Sequence, residues 1–470
     1  MNHDIIYIAT DRMFAGRMQL YGGYNSYPNI EKIANNGTVF TNAQAAAAST
    51  LMCHSCEWTG LYPWELHDES KVPHPERLYE TQISSSSNLF TDLLEKGYDV
   101  NIVFVNKPGK YFETYQQTSG IWGKKGVNVH LVDDWDINPS NSRKTHLKHS
   151  LKILENSRKK GKPCFVWMKI HGFYKELNLE KNIIEDPLLK YLNYAGQKRV
   201  TRDDVWNCVV DDVIGEILEE TGHMKNDDAP EIIFASDHGA FQGEYGMKDY
   251  GFHLTQEILH VPLISSFCLD KQDNLTLPAG YNPKTFNSIF SMRNIRNLLV
   301  NRSIKKEDVI FAETLYPGQF SNQKLRKESF SKIAAITKRY KYIYQPWGMH
   351  GDSDNYEEML FDTYYDKSEK INLANFDKEY RDNARSVISI KKDVLMRYHS
   401  DHKYCLNPQN YYNNLDAKIK KNPQKVMKNE NLSIGTGWNE ISEIRKYFRS
   451  QCKKIWNQSG RSAQIKFEIK

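Results

Sequence analysis

Ile232-Ile233-Phe234-Ala235-Ser236-Asp237-His238-Gly239 is the stretch whose reading decides the fold. A short apolar run, readable as a buried strand, ends abruptly in an acid, an imidazole and a glycine. In an open α/β sheet, chemistry collects at the carboxyl ends of the strands. An Asp and a His side by side at such an end can both reach one hard or borderline metal ion. The plain alternative is a strand that stops in a polar turn.

Outward from this stretch the chain alternates strands and helices. Ile5–Ala9 reads as a first buried strand that ends at Thr10-Asp11. A short helix follows Pro28 over Ile30–Asn35 and is stopped by Gly37, with Val39-Phe40 as a strand behind it. Ser49-Thr50 precedes a helix through Trp58 that Thr59-Gly60 closes, and Asn88–Lys96 is a helix ended by Gly97. Strands are expected at Val100–Val105, Pro163–Ile170 and Val261–Ser265, and helices at Thr145–Ser157 and Asp203–Glu220. Such alternation predicts an α/β fold, with a mostly parallel sheet covered on both faces.

Near Phe330 the texture changes. Ile333–Ile336 and Tyr340–Gln345 look like strands of a small antiparallel unit, Met359–Asp362 opens a turn-rich passage, and Lys391–Tyr398 is helical. His399 to Asn431 is rich in Asn, Lys, Tyr and Pro and reads as loosely held. A final helix carries Ile441, Ile444, Tyr447, Phe448 and Ile455, a stripe expected to dock on the main body. The expected organisation is a catalytic α/β domain over 1–330, a small C-terminal subdomain over 331–400 and a basic tail over 401–470.

Composition narrows the function classes. The chain has 470 residues, 40% hydrophobic and 26% charged, which is an ordinary globular composition with ample core. Its net charge of +5 is uneven. Residues 401–470 hold 14 Lys and Arg against 6 Asp and Glu, so that the tail carries about +8 and the first 400 residues about −3. A basic tail suits an anionic partner, and equally a solvated surface helix. Seven scattered cysteines do not form a disulfide framework, and Cys53-His54-Ser55-Cys56 is a lone CxxC pair. No run approaches the roughly 18 apolar residues of a membrane span and no leader segment is visible, so a cytoplasmic location is expected. Nothing in the composition points to nucleic acid.

Taken together, the strand ends offer Asp11, His171, Asp237 and His238, with His253 farther on and Ser49-Thr50 at a helix start. A hydroxyl at a helix N-terminus beside a divalent metal makes a good nucleophile, because the metal favours the alkoxide and the helix end favours an adjacent anion. That combination suits displacement at phosphorus or sulfur.

At these residues the chain resembles the sulfatases, within the alkaline phosphatase-like superfamily. The similarity runs in order through Asp11 with Tyr21-Gly22, Pro28-Asn29-Ile30 through Gly37-Thr38-Val39-Phe40, and Thr59-Gly60-Leu61-Tyr62-Pro63. It continues in Ser236-Asp237-His238-Gly239 with Gly243-Glu244-Tyr245-Gly246, and in His253–Glu257 through His260-Val261-Pro262-Leu263-Ile264. In the C-terminal unit it takes in Glu358–Asp362 and Glu369–Leu373. The resemblance implies a three-layer sandwich around a mostly parallel sheet, with a smaller C-terminal α+β subdomain.

Three departures matter. The position nine residues before Thr59 is Cys or Ser within C/S-x-P-x-R in the sulfatases that mature it to formylglycine. Here it is Thr50, followed by Leu51-Met52-Cys53-His54, without the Pro or the Arg. The doubled Asp of many sulfatases is Asp11-Arg12, and Val105 and Lys107 stand near the place of a Lys-x-His motif. A threonine that cannot become formylglycine resembles the branches whose hydroxyl attacks phosphorus. A phosphate-type ester, on a saccharide or lipid headgroup, is therefore the leading expectation. Sulfate-ester hydrolysis without formylglycine and a non-catalytic anion-binding protein are the alternatives.

Under the resemblance Asp11, Asp237 and His238 are expected to ligate a divalent metal (Ca, Mn or Zn), with Thr50 as nucleophile and fourth ligand and Ser49 as its alternate. His253 is expected to protonate the leaving oxygen or to hold a second metal. His171, Lys107 and Arg12 are expected to bind the anionic substrate. Plain turn, cap and surface roles stay open for each, and Asp211 and Asp212 read as surface acids of a helix.

Overall fold

The computed structural model describes residues 3–35, 37–66, 87–105, 122–132, 142–170, 201–223, 228–244, 248–251, 253–267, 284–314, 332–345, 357–363, 366–370, 372–375 and 438–458. They form two compact units, one of residues 1–240 with 257–307, the other of 241–256 with 308–470.

In the first unit the strands are β1 (Ile5–Thr10), β2 (Thr38–Phe40), β3 (Ala43–Gln44), β4 (Asp99–Val105), β5 (Asn128–Val132), β6 (Cys164–Lys169) and β7 (Glu231–Ser236), and later β10 (Leu263–Ser265), β11 (Lys284–Phe286) and β12 (Phe290–Ser291). Its helices include α1 (Pro28–Asn35), α2 (Thr50–Thr59), α3 (Leu89–Glu95), α4 (Ser142–Lys159), α5 (Arg202–Glu220) and α6 (Ile295–Asn301). Eight strands make one sheet in the order β11-β2-β10-β7-β1-β6-β4-β5. Every pairing is parallel except the two made by β10. This is the predicted α/β architecture, and each predicted element in this unit appears with its ends moved by at most a few residues.

The central strands β1, β6 and β7 are apolar between their polar ends because both of their faces are covered. All six residues of β1 are buried, as are Ile232, Ile233, Phe234 and Ala235 of β7. Local chemistry sets the ends. Asn88 caps α3 by accepting from the backbone N–H groups of Phe90 and Thr91, while Thr91 Oγ1 accepts from Asn88 N–H. Gly60 closes α2 in the left-handed region at φ 77, where a side chain would be strained.

Register is what places the site. In the β1–β7 pairing Thr10 faces Ser236, and in the β1–β6 pairing Ala9 faces Lys169. Three adjacent central strands therefore end together, and Asp11, Lys169 and Asp237 stand along one edge.

Asp211 corrects the expectation of a surface acid. It is fully buried on α5 and caps α1 from another helix: its Oδ1 accepts from Asn29 N–H at 2.9 Å and Ile30 N–H at 2.8 Å. Burial pushes its carboxyl up from 3.8 to about 7, against the pull of those backbone donors. Folding then takes up a proton between these values, so this group's contribution to stability falls as pH rises from about 4 to 7. Asp211→Asn is expected to remove that slope, a few kcal/mol across the window, when urea unfolding is followed from pH 4 to 7.5.

The second unit holds a short hairpin of β8 (Phe241–Gln242) and β9 (Lys248–Asp249), and an antiparallel sheet of β13 (Ile310–Thr314), β14 (Lys332–Ile336), β15 (Tyr340–Gln345) and β16 (Glu357–Asp362). The passage read as turn-rich thus begins with a strand. Its polar start hides it: Glu357 and Glu358 break the apolar alternation, although Glu358 is tied down by Tyr342, Arg445 and Arg449. The terminal helix, α7 (Trp438–Gln458), packs on β14 and β15 of its own unit. Its Phe448, Cys452 and Ile455 are buried there, and Phe448 stacks on Tyr342. Part of the tail's basic charge is therefore spent on Glu358. Lys391–Tyr398 and all of His399–Asn431 lie outside the described residues. No described helix is long and apolar enough to cross a membrane.

Candidate active site

Four predicted residues meet at the strand edge. Asp11 follows β1, Asp237 and His238 follow β7, and Thr50 opens α2. Asp11, Asp237 and His238 form a cluster whose ligand atoms all lie within 4.8 Å of one another. Thr50 Oγ1 is 2.9 Å from His238 Nε2 and the residue is 3% exposed. Ser49, with extended φ of −143, is the N-cap residue and makes no side-chain cap, so the threonine faces the cluster and is not a cap.

Each member is held. Arg12, just past Asp11, sits at φ 62, an uncommon conformation for a residue with a side chain, and is tied to Asp203 at 3.0 Å. Gly239 is required because an added Cβ would stand 2.0 Å from the backbone oxygen of Glu257. Asp237 Oδ1 accepts from His238 N–H at 2.8 Å. His238 Nδ1 lies 2.7 Å from the Gly239 carbonyl, which can only accept, so Nδ1 carries the proton. Nε2 therefore presents a lone pair to the cluster and accepts the Thr50 hydroxyl.

The donor set fits a cation. His238 Nε2 stands 3.3 Å from Asp11 Oδ1 and 3.7 Å from Asp237 Oδ2. All three atoms are acceptors in this protonation state. Neighbouring ligand atoms around a divalent ion with bonds of about 2.1–2.4 Å are separated by about 3.0–3.4 Å. Two carboxylates, an imidazole and a hydroxyl suit a hard or borderline ion.

Beneath the cluster runs a buried polar chain that the sequence reading missed. Lys169 Nζ donates to Asp237 Oδ2 at 2.6 Å and to His54 Nε2 at 2.9 Å. His54 Nδ1 reaches Glu57 Oε2 at 3.3 Å, which also accepts from Tyr7 OH at 3.0 Å. The His54 ring stacks on Trp58 and meets Trp167 edge-on. Burial pushes the Glu57 carboxyl well up and Asp237 adds to this, while Tyr7 and Lys169 pull it down. One signal was available: Lys169 ends an otherwise apolar buried strand, Cys164-Phe165-Val166-Trp167-Met168, where an unpaired charge would be costly.

His253 is a residue of the second unit. Loss of solvation, then Lys332 and Lys341, hold its imidazole well below the usual range, so it is neutral at pH 7. His171 and Lys107 lie outside the described residues. Cys53 and Cys56 are buried free thiols, and burial pushes Cys53 up, which makes it a poor thiolate.

Comparison with known proteins follows the same outline. A family model described as sulfatase matches residues 3–274. A curated relative, the N-acetylgalactosamine-6-O-sulfatase of Bacteroides thetaiotaomicron, is 31% identical over 485 residues, covering 84% of this chain and 93% of its own. A protein solved in complex with its substrate D-glucosamine-2-N,6-O-disulfate has a TM-score of 0.51 at 16% identity, covering 86% of this chain and 100% of its own. A sulfatase structure from work on glycosaminoglycan metabolism by Bacteroides thetaiotaomicron has a TM-score of 0.55 at 17% identity, covering 85% and 96%. At such identities these structures share the fold. The curated relative carries more weight, and it reverses the expected order of phosphate over sulfate.

Proposed function

The chain belongs to the sulfatase family, and from that premise we propose that it hydrolyses a sulfate ester of an anionic saccharide, with Thr50 as the attacking group. The observation that carries this reading is the contact between Thr50 Oγ1 and His238 Nε2 at 2.9 Å, inside the Asp11/Asp237/His238 cluster. Asp11, Asp237, His238 and Thr50 would hold a divalent ion, Ca, Mn or Zn, which supplies positive charge for the ester oxygens and favours the Thr50 alkoxide.

The chain's own groups do the rest. As Thr50 Oγ attacks sulfur its hydroxyl proton passes to a water, because the one Nε2 lone pair of His238 would be given to the cation. The bond from sulfur to the sugar oxygen breaks and the sugar leaves as an alcohol, taking up a proton. Water then attacks the sulfur of the sulfo-threonine, its Oγ–S bond breaks, and hydrogen sulfate departs. The methyl on Thr50 Cβ bars an aldehyde at this position, so release by water replaces release through formylglycine.

Charge supports sulfate over a phosphate monoester. The two carboxylates and the Lys169 ammonium leave a single net negative charge. A divalent ion converts that to a single positive one, matched to a monoanionic tetrahedral ester. Phosphate chemistry is the second reading, favoured by the hydroxyl at position 50, and by this charge balance it takes the form of a phosphodiester. The test is turnover of nitrophenyl sulfate, bis-nitrophenyl phosphate and nitrophenyl phosphate by the purified chain with added Ca²⁺, Mn²⁺ or Zn²⁺. Sulfate turnover is the expected result. Turnover of the diester alone establishes the second reading, and cation binding without turnover of any ester overturns both.

A further inference from the structure

We propose that Lys169 is a positioning residue that sets the charge of the cation site from a neighbouring strand, in place of a charge on the nucleophile helix. The inference rests on the cation-assisted reading above and adds a residue to it. The helix position where the resembling motif carries an arginine is His54, and it is fully buried. A neutral His54, its Nδ1 proton directed at Glu57, brings no charge to the site. Its Nε2 instead accepts from Lys169, whose ammonium also grips Asp237 Oδ2. The positive charge that the helix lacks thus arrives on β6, fixed between two acceptors and walled by Trp58 and Trp167 through the His54 ring.

This arrangement has two consequences. Asp237 Oδ2 is already neutralised on one side before any cation binds, so the site holds its divalent ion less tightly than two free carboxylates would. The carboxylate is also fixed in its plane, by Lys169 at one oxygen and His238 N–H at the other. The cluster therefore trades cation affinity for a net positive charge, which serves an anionic ester.

The experiment is calorimetric titration of Ca²⁺ and Mn²⁺ into the full, chelator-treated chain, with thermal unfolding in parallel. Lys169→Met is expected to bind the cation at least about tenfold more tightly, because a like charge beside a ligand carboxylate is gone. Its melting temperature should rise more on cation addition than that of the unaltered protein. Inorganic sulfate should bind the cation-loaded variant at least about tenfold more weakly. The double variant His54→Arg/Lys169→Met returns the charge to the helix and should restore the original cation affinity within about threefold. It also serves if Lys169→Met alone does not fold without cation. A merely structural lysine would loosen the cation site when removed, so weaker or unchanged affinity in Lys169→Met overturns the proposal, as does failure of the double variant to restore it. No cation binding by the unaltered chain overturns the cation reading itself, which separates the two failures.

Discussion

Replacing Thr50 with alanine is expected to lower kcat on the ester substrate by at least about a thousandfold, while cation affinity stays within a few-fold of the original. The split follows from what each group supplies. The carboxylates and His238 Nε2 bring the charge and the strong lone pair to the cation, whereas Thr50 adds one neutral oxygen. In catalysis the order inverts, because that oxygen forms the bond to sulfur. The structural cost of the change is about 1 kcal/mol, since one buried hydrogen bond and one methyl group are lost. Helix α2 remains held by its buried residues and by the Gly60 closure. Thr50→Ser keeps the hydroxyl and is expected to retain turnover within about tenfold. Steady-state kinetics on the three nitrophenyl esters, beside calorimetric cation titration, check both halves. Undiminished turnover in Thr50→Ala would remove the threonine from the chemistry.

The sequence made this site legible to unequal degrees. Asp11, Asp237 and His238 could be found because each follows an uninterrupted apolar run, and strand ends in a parallel sheet converge. Thr50 could be placed by its offset from Thr59-Gly60, a helix closure that the structure confirms at φ 77. The chain Lys169–His54–Glu57–Tyr7 was not legible, although all four residues lie in segments whose secondary structure was read correctly. Secondary structure fixes which side of a strand a residue occupies, but not which polar groups from β1, β6 and α2 meet there. That depends on register, such as Ala9 opposite Lys169, and register is a tertiary property. Asp211 shows the same limit from the other side. On a helix rich in acids it looks like a solvated residue, and only the approach of the first turn of α1 buries it. For α7, periodicity gave the apolar stripe but not the sheet that receives it.

Asp237→Ala is expected to destabilise the cation-free protein by about 3–5 kcal/mol, a larger loss than deleting an ordinary surface ion pair would cause. Lys169 is the reason. Its side chain is 5% exposed and Asp237's is fully buried, so among the described residues removal of the carboxylate leaves the ammonium its hydrogen bond to the His54 imidazole and no carboxylate bonded to it. Asp237→Asn should cost clearly less, because the amide oxygen still accepts from Lys169, yet both variants should lose cation binding by at least about a hundredfold through the lost ligand charge. The double variant Asp237→Ala/Lys169→Met separates the two effects. Removing both members of a buried ion pair is often close to neutral, so the double variant should recover most of the stability lost by Asp237→Ala, while its cation affinity stays well below that of the unaltered chain because the ligand carboxylate is still missing. Urea unfolding of the full chain in chelator gives the coupling between the two residues as a double-mutant cycle. A coupling near zero would mean that the 2.6 Å contact between them is not a bond the folded protein depends on. A large coupling, with cation binding abolished only where Asp237 is changed, assigns Asp237 two jobs: partner to the Lys169 ammonium and ligand to an added cation.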